Sequence, residues 1–104
     1  MAMTRRHNIR ERPPLDRAAL EAAALGYASR FATTRFKLTA YLTRKVRERG
    51  WADDGAPPLE QLVERMAALG YIDDRAFASM RAASLSRRGY GERRIGQSLR
   101  TAGI

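Results

Sequence analysis

The chain has 104 residues, room for one ordinary domain or a short helical array. Its 44% hydrophobic content excludes wholesale disorder, and no run of about 18 apolar residues offers a membrane span. Twenty Lys/Arg against eleven Asp/Glu leave a formal charge of +9 and a pI near 11.2, a balance that favours polyanionic partners, nucleic acid first.

Residues 1–14 read as a basic flexible tail. The stretch from Met1 to Arg12 is Arg-rich but lacks the apolar centre of a secretory signal. Pro13-Pro14 blocks helix there. From Leu15 a helical period takes over: Leu20, Ala23, Ala24, Tyr27 and Phe31 share one face, with Asp16 placed to cap the start. A second helix follows the polar break at Thr33-Thr34, with Leu38, Tyr41, Leu42 and Val46 as its stripe and Gly50 as its stop. Asp53 to Pro58 is turn-forming by composition. A third helix opens near Pro58, buries Leu59, Leu62, Val63, Met66 and Leu69, and ends at Gly70. The fourth is capped by Asp73, carries Phe77, Met80, Ala83 and Ser84 inward, and stops at Gly89. After Gly91 a fifth helix presents Ile95, Leu99 and Ala102, with Gly103 as its stop. Period-two alternation is nowhere sustained, so the fold class is all-α with no strands.

The pattern repeats at an offset of 57 residues. Leu20 falls on Phe77, Ala23 on Met80, Leu38 on Ile95 and Leu42 on Leu99. Gly50-Trp51 meets Gly103-Ile104 after a further four-residue shift, about one helical turn. The expectation is a tandem array of three-helix units, curved to either hand. Residues 15–72 form the first unit and 73–104 two helices of a second. Such arrays bury their faces against neighbouring units, so the chain reads as cut short after Ile104.

Little chemistry is on offer. There is no cysteine, and the one histidine, His7, stands in the tail, so neither a metal site nor a Cys or Ser–His nucleophile is expected. Asp53-Asp54 and Asp73-Asp74 are adjacent pairs, better suited to a turn and an N-cap than to acid–base work. Gly89-Tyr90-Gly91 is too short for a phosphate loop. The reading is a non-enzyme without cofactor, metal or small-molecule substrate.

The charge is more informative. Residues 1–50 carry 12 Lys/Arg against 4 Asp/Glu, residues 51–74 carry 1 against 6, and residues 75–104 carry 7 against 1. On the second helix Lys37, Arg44 and Arg47 fall opposite Leu42 and Val46. On the fifth, Arg93, Arg94, Gln97 and Arg100 fall opposite Ile95 and Leu99. Arg87 and Arg88 close the fourth helix, where they serve either its dipole or a partner. These nine residues are the contact candidates, since guanidinium forks suit both phosphates and acidic protein surfaces. Trp51 and Tyr90 are either partner anchors or packing residues.

The series Leu69-Gly70-Tyr71-Ile72-Asp73-Asp74-Arg75-Ala76-Phe77-Ala78, then Arg87-Arg88-Gly89-Tyr90-Gly91, then Ile95, Leu99 and Gly103-Ile104, resembles the RecX regulatory proteins. Upstream, Tyr27 to Trp51, with Arg44-Lys45-Val46 before the turn, is similar to that family's first unit. The likeness covers about residues 15–104. Lys37 stands where many members carry an acidic residue, and the family's third unit has no counterpart here. The resemblance implies a cytoplasmic helical-repeat protein. It would bind the RecA recombinase and its filament on DNA, and modulate, through inhibition, its recombinase, ATPase and co-protease activities in DNA repair and the SOS response. A sequence-independent nucleic-acid-binding module that contacts DNA directly, without RecA, is the alternative from composition. A purely structural fragment is a third.

Overall fold

The computed structural model describes residues 12–104, so His7 and the Arg-rich start up to Glu11 lie outside the described residues. Five helices follow in order: α1 Arg17–Arg30, α2 Arg35–Arg49, α3 Leu59–Ala68, α4 Asp74–Arg87 and α5 Glu92–Thr101. The only β pairing among the described residues is a single parallel bridge between Leu15 and Trp51.

Local chemistry explains where the helices begin. Asp16 accepts from the Ala19 amide at 2.8 Å and Asp73 from the Ala76 amide at 3.0 Å, each satisfying an amide that the first turn leaves without a partner. Thr34 accepts from the Lys37 amide at 3.2 Å. Asp16 and Asp73, like Thr34 and Gly91, stand as N-caps at the 57-residue offset, and α1 and α4 match in both start and end.

Helices α1, α2 and α3 pack mutually as a bundle, while α4 and α5 pack on each other as a pair. Leu20 and Ala24 of α1, Leu38 and Leu42 of α2, and Leu62, Val63 and Met66 of α3 fill the bundle's centre, closed by Leu15 and Ile72. Each fully buried leucine contributes about 1.5–3 kcal/mol. Leu15 is held in place by backbone bonds to Gly50 and Ala52, and Arg49 donates to the Pro13 carbonyl at 2.8 Å. No helix of the bundle lies along a helix of the α4–α5 pair. The described chain is accordingly a plate of 52 × 34 × 19 Å, with a radius of gyration of 17.0 Å against about 13 Å for a compact chain of this size.

Several positions expected inside are outside. Phe31 is 51% exposed, Leu69 60% and Met80 52%, and Ala83 is exposed too. Phe31 and Leu69 are C-caps, where the chain turns off its helix axis before the side chain reaches the core. Ala28 takes the inward place on α1. On α4 the inward residues are Phe77 and Leu85, because only α5 and the start of α2 lie against that helix, and Met80 faces neither. Ile95 and Leu99 are half-buried where Leu38 and Leu42 are fully buried. In the bundle α3 covers α2; among the described residues no helix covers α5 in the same way.

A few contacts form the seam between bundle and pair. The buried Thr34 hydroxyl donates to the Ala102 carbonyl at 2.6 Å while accepting from Lys37. The Arg35 amide donates to Asp74 Oδ1 at 3.0 Å, and its guanidinium meets Glu64 at 2.8 Å. The Glu64 hydrogen bond and charge, with Asp74 and Asp73 adding theirs, raise the Arg35 pKa above its ordinary value. Gly103 stands at φ +89°, and a β-carbon there would overlap the Cβ of Phe36. Gly103→Ala is therefore expected to release the seam without unfolding the bundle. Amide exchange at Arg35, whose N–H bonds Asp74 across the seam, should accelerate about tenfold while that of Leu42 and Leu62 stays slow. Equal acceleration throughout would contradict this.

Candidate functional site

The start of α2 brings the two groups of basic candidates together. Lys37 lines two adjoining clefts. One, of about 510 Å³, runs along α2 past Tyr41, Arg44 and Arg47. The other, of about 520 Å³, lies over the seam, where Arg81, Arg88, Tyr90, Arg94 and Gln97 reach towards Lys37. Ser98 and Thr101 add hydroxyls to its wall. The two clefts meet at Lys37, and the trough they form carries six cations and, among the described residues, no carboxylate in its lining.

Aromatic rings hold these charges in position. Phe77, buried beneath the seam, carries the Lys37 ammonium at 5.4 Å and the Arg81 guanidinium at 5.1 Å from its centroid. Tyr90 carries Arg88 at 5.5 Å and Arg94 at 4.9 Å. Tyr41 carries Arg44 at 5.7 Å and Lys45 at 5.8 Å. Each such contact is worth about 0.5–1 kcal/mol at an exposed site, enough to offset part of the repulsion between neighbouring cations. Tyr41 stacks on Tyr27 at 4.3 Å, and Tyr27 meets Phe31 at 5.1 Å. None of the six trough cations forms an ion pair among the described residues. Arg81 has one long bond, 3.5 Å, to the Ser98 hydroxyl.

Of the nine sequence candidates, six line the trough: Lys37, Arg44, Arg47, Arg88, Arg94 and Gln97. Arg87, Arg93 and Arg100 are exposed outside it, and Arg100 lies back over Gly96 of its own helix. Arg81 was absent from the candidates. It stands alone in an Ala/Ser-rich stretch, but its place four residues after Phe77 is the same ring-to-cation spacing as Tyr90 to Arg94. Tyr90 serves as the platform for two arginines.

Three carboxylates share a groove with Arg35. Glu60, Glu64 and Asp74 rim a second groove floored by Phe36, Pro57, Leu59 and Val63. Among the described residues, no group of acidic or histidine side chains is suited to a metal and no helix is long and apolar enough to cross a membrane.

Fold and site define an all-helical protein with a carboxylate-free basic trough at the junction of two helical groups. Residues 73–104 match the family model described as RecX, second three-helix domain. The chain is 36% identical over 90 residues to "Regulatory protein RecX" of Myxococcus xanthus, a match covering 82% of this chain and 48% of that protein. It is 32% identical over 94 residues to "Regulatory protein RecX" of Mycobacteroides abscessus, covering 89% and 44%. The chain belongs to the RecX family. It spans about half the length of these curated relatives. No solved structure matches it significantly.

Proposed function

We propose that the chain is a non-catalytic cytoplasmic regulator. It binds the RecA recombinase, or its filament on DNA, through the basic trough and restrains recombinase, ATPase and co-protease activity. The observation that carries this reading is the trough itself: six cations, five of them preset on aromatic rings, with no carboxylate among the described lining residues to neutralise them. Such a surface attracts a polyanion or an acidic protein face at long range and holds it by charge-assisted bonds. Family membership supports a regulatory role, and the choice of RecA rests on the resemblance to RecX. Residues 15–72 and 73–104 act in this reading as two units that present one surface.

Adding the protein to RecA on single-stranded DNA is expected to slow ATP hydrolysis in a dose-dependent way. Hydrolysis unchanged at saturating protein would overturn the proposal. A second reading has its own support. Exposed Phe31, stacked Tyr27–Tyr41 and neighbouring Arg30 and Arg44 make an aromatic–cationic platform of the kind that stacks unpaired bases. In that case the chain binds single strands equally well without RecA and leaves hydrolysis unaffected at concentrations too low to compete for DNA.

A further inference from the structure

We propose that the seam cleft is a phosphate-binding site, and that phosphates of a nucleic-acid strand bound there clamp the α4–α5 pair against the α1–α3 bundle. The proposal takes from the reading above only the trough as working surface and needs no RecA. Four cations line this cleft, and they come from both sides of the seam. Lys37 belongs to the bundle, and Arg81, Arg88 and Arg94 to the pair.

Three features make the cleft a site for oxyanions rather than a solvated patch. First, its cations are held in place: Phe77 seats Lys37 and Arg81 together, and Tyr90 seats Arg88 and Arg94 together. Two like charges sharing one ring repel each other, and a divalent oxyanion between them removes that repulsion. Second, neutral donors stand beside the cations. The Ser98 hydroxyl and the Gln97 side-chain amide line the same wall, while the Thr101 hydroxyl donates to the Gln97 carbonyl, so a phosphate's acceptor oxygens find two neutral donors beside the cations. Third, no lining carboxylate competes for the guanidinium groups.

The location gives occupancy a mechanical effect. Helices of the bundle and of the pair do not pack along each other, and the junction rests on a few contacts: Thr34–Ala102, Arg35–Asp74, Phe36–Gly103 and the Lys37 ammonium on Phe77. Without an anion, the repulsion between Lys37 and the three arginines works against those few contacts, the seating of Lys37 on Phe77 included, and loosens the junction. With phosphate bound, the same four charges pull the two sides together. The angle between bundle and pair thus depends on what fills the cleft.

The chain has no cysteine, so Ala22→Cys on α1 and Ser86→Cys on α4, both exposed positions, admit a spin-label pair in the full chain. Expected is a broad label–label distance distribution that narrows on adding oligothymidylate. Pyrophosphate should narrow it too, at higher concentration, and the uncharged methylphosphonate analogue of the oligonucleotide should not. Arg81→Gln and Arg94→Gln should each weaken oligothymidylate binding about tenfold, abolish the narrowing and lower the salt slope by about 0.7 per lost contact, with helicity unchanged. Lys37→Gln makes the same test from the other side of the seam, and serves alone if Arg81→Gln disturbs folding. A bound oligonucleotide that leaves the distribution broad overturns the clamp. Binding unaffected by all three variants, or narrowing by the methylphosphonate strand, overturns the phosphate site. Narrowing by polyglutamate but not by either phosphate probe does the same and assigns the cleft to an acidic protein surface. Because no RecA is present, these outcomes are independent of the hydrolysis assay.

Discussion

Lys37, Arg88 and Arg94 changed together to glutamate are expected to weaken binding to the RecA–DNA filament by about a hundredfold. Truncating one partner of a well-paired charge costs about 2–5 kcal/mol, and reversal puts repulsion where attraction stood. The three side chains lie in the trough lining and in no ion pair of the described residues, so folding should change by about 1 kcal/mol or less per site, the worth of the cation–π contact each gives up. Arg93 and Arg100 supply the control. They lie on the same helix as Arg94 but outside the trough, and their joint reversal should cost less than about threefold in affinity by the weak effect expected of rim charges. Titration of filaments with labelled protein, alongside circular dichroism, separates the cases. Equal losses in both variants would mean that net charge, rather than the trough, drives binding.

The second large effect concerns the core. Leu42→Ala should destabilise the protein by about 2–5 kcal/mol, the usual range for a leucine removed from a closed interior. Leu99 lies at the equivalent place on α5, yet Leu99→Ala should cost only about 1 kcal/mol. Leu42 is fully buried beneath α3, whereas Leu99 keeps solvent on one side. The matched pair thus measures what a covering third helix contributes. Urea titrations with an unchanged slope would report the difference directly. Equal costs would mean that α5 is covered in solution.

The helix starts were legible because their causes are local. Asp16 and Asp73 are short acceptors immediately before an apolar period, and their amide partners lie three residues on. The 57-residue offset survives in the caps and in the paired lengths of α1 and α4. What periodicity could not supply is which side of a helix another helix covers. Met80 has the right phase to be buried but no neighbour on that side. The seam was invisible for another reason. Thr34 meets Ala102 across 68 residues of sequence, and nothing local marks either as half of a pair. Arg81 has no basic neighbour on its own helix face to mark it, because the trough is assembled from α2, α4 and α5.

The segregation of carboxylates from the trough has a kinetic consequence. Glu60, Glu64 and Asp74 line one groove with a single cation, Arg35, while six cations, none ion-paired among the described residues, line the other, so these two surfaces contribute a dipole beside the net charge. In the field of a polyanion that dipole feels a torque, and the plate turns its trough forward before any atoms touch. Orientation of this kind raises the association rate and leaves the lifetime of the complex to short-range contacts. Added salt, with a screening length of about 8 Å at physiological ionic strength, would therefore slow arrival far more than it hastens departure.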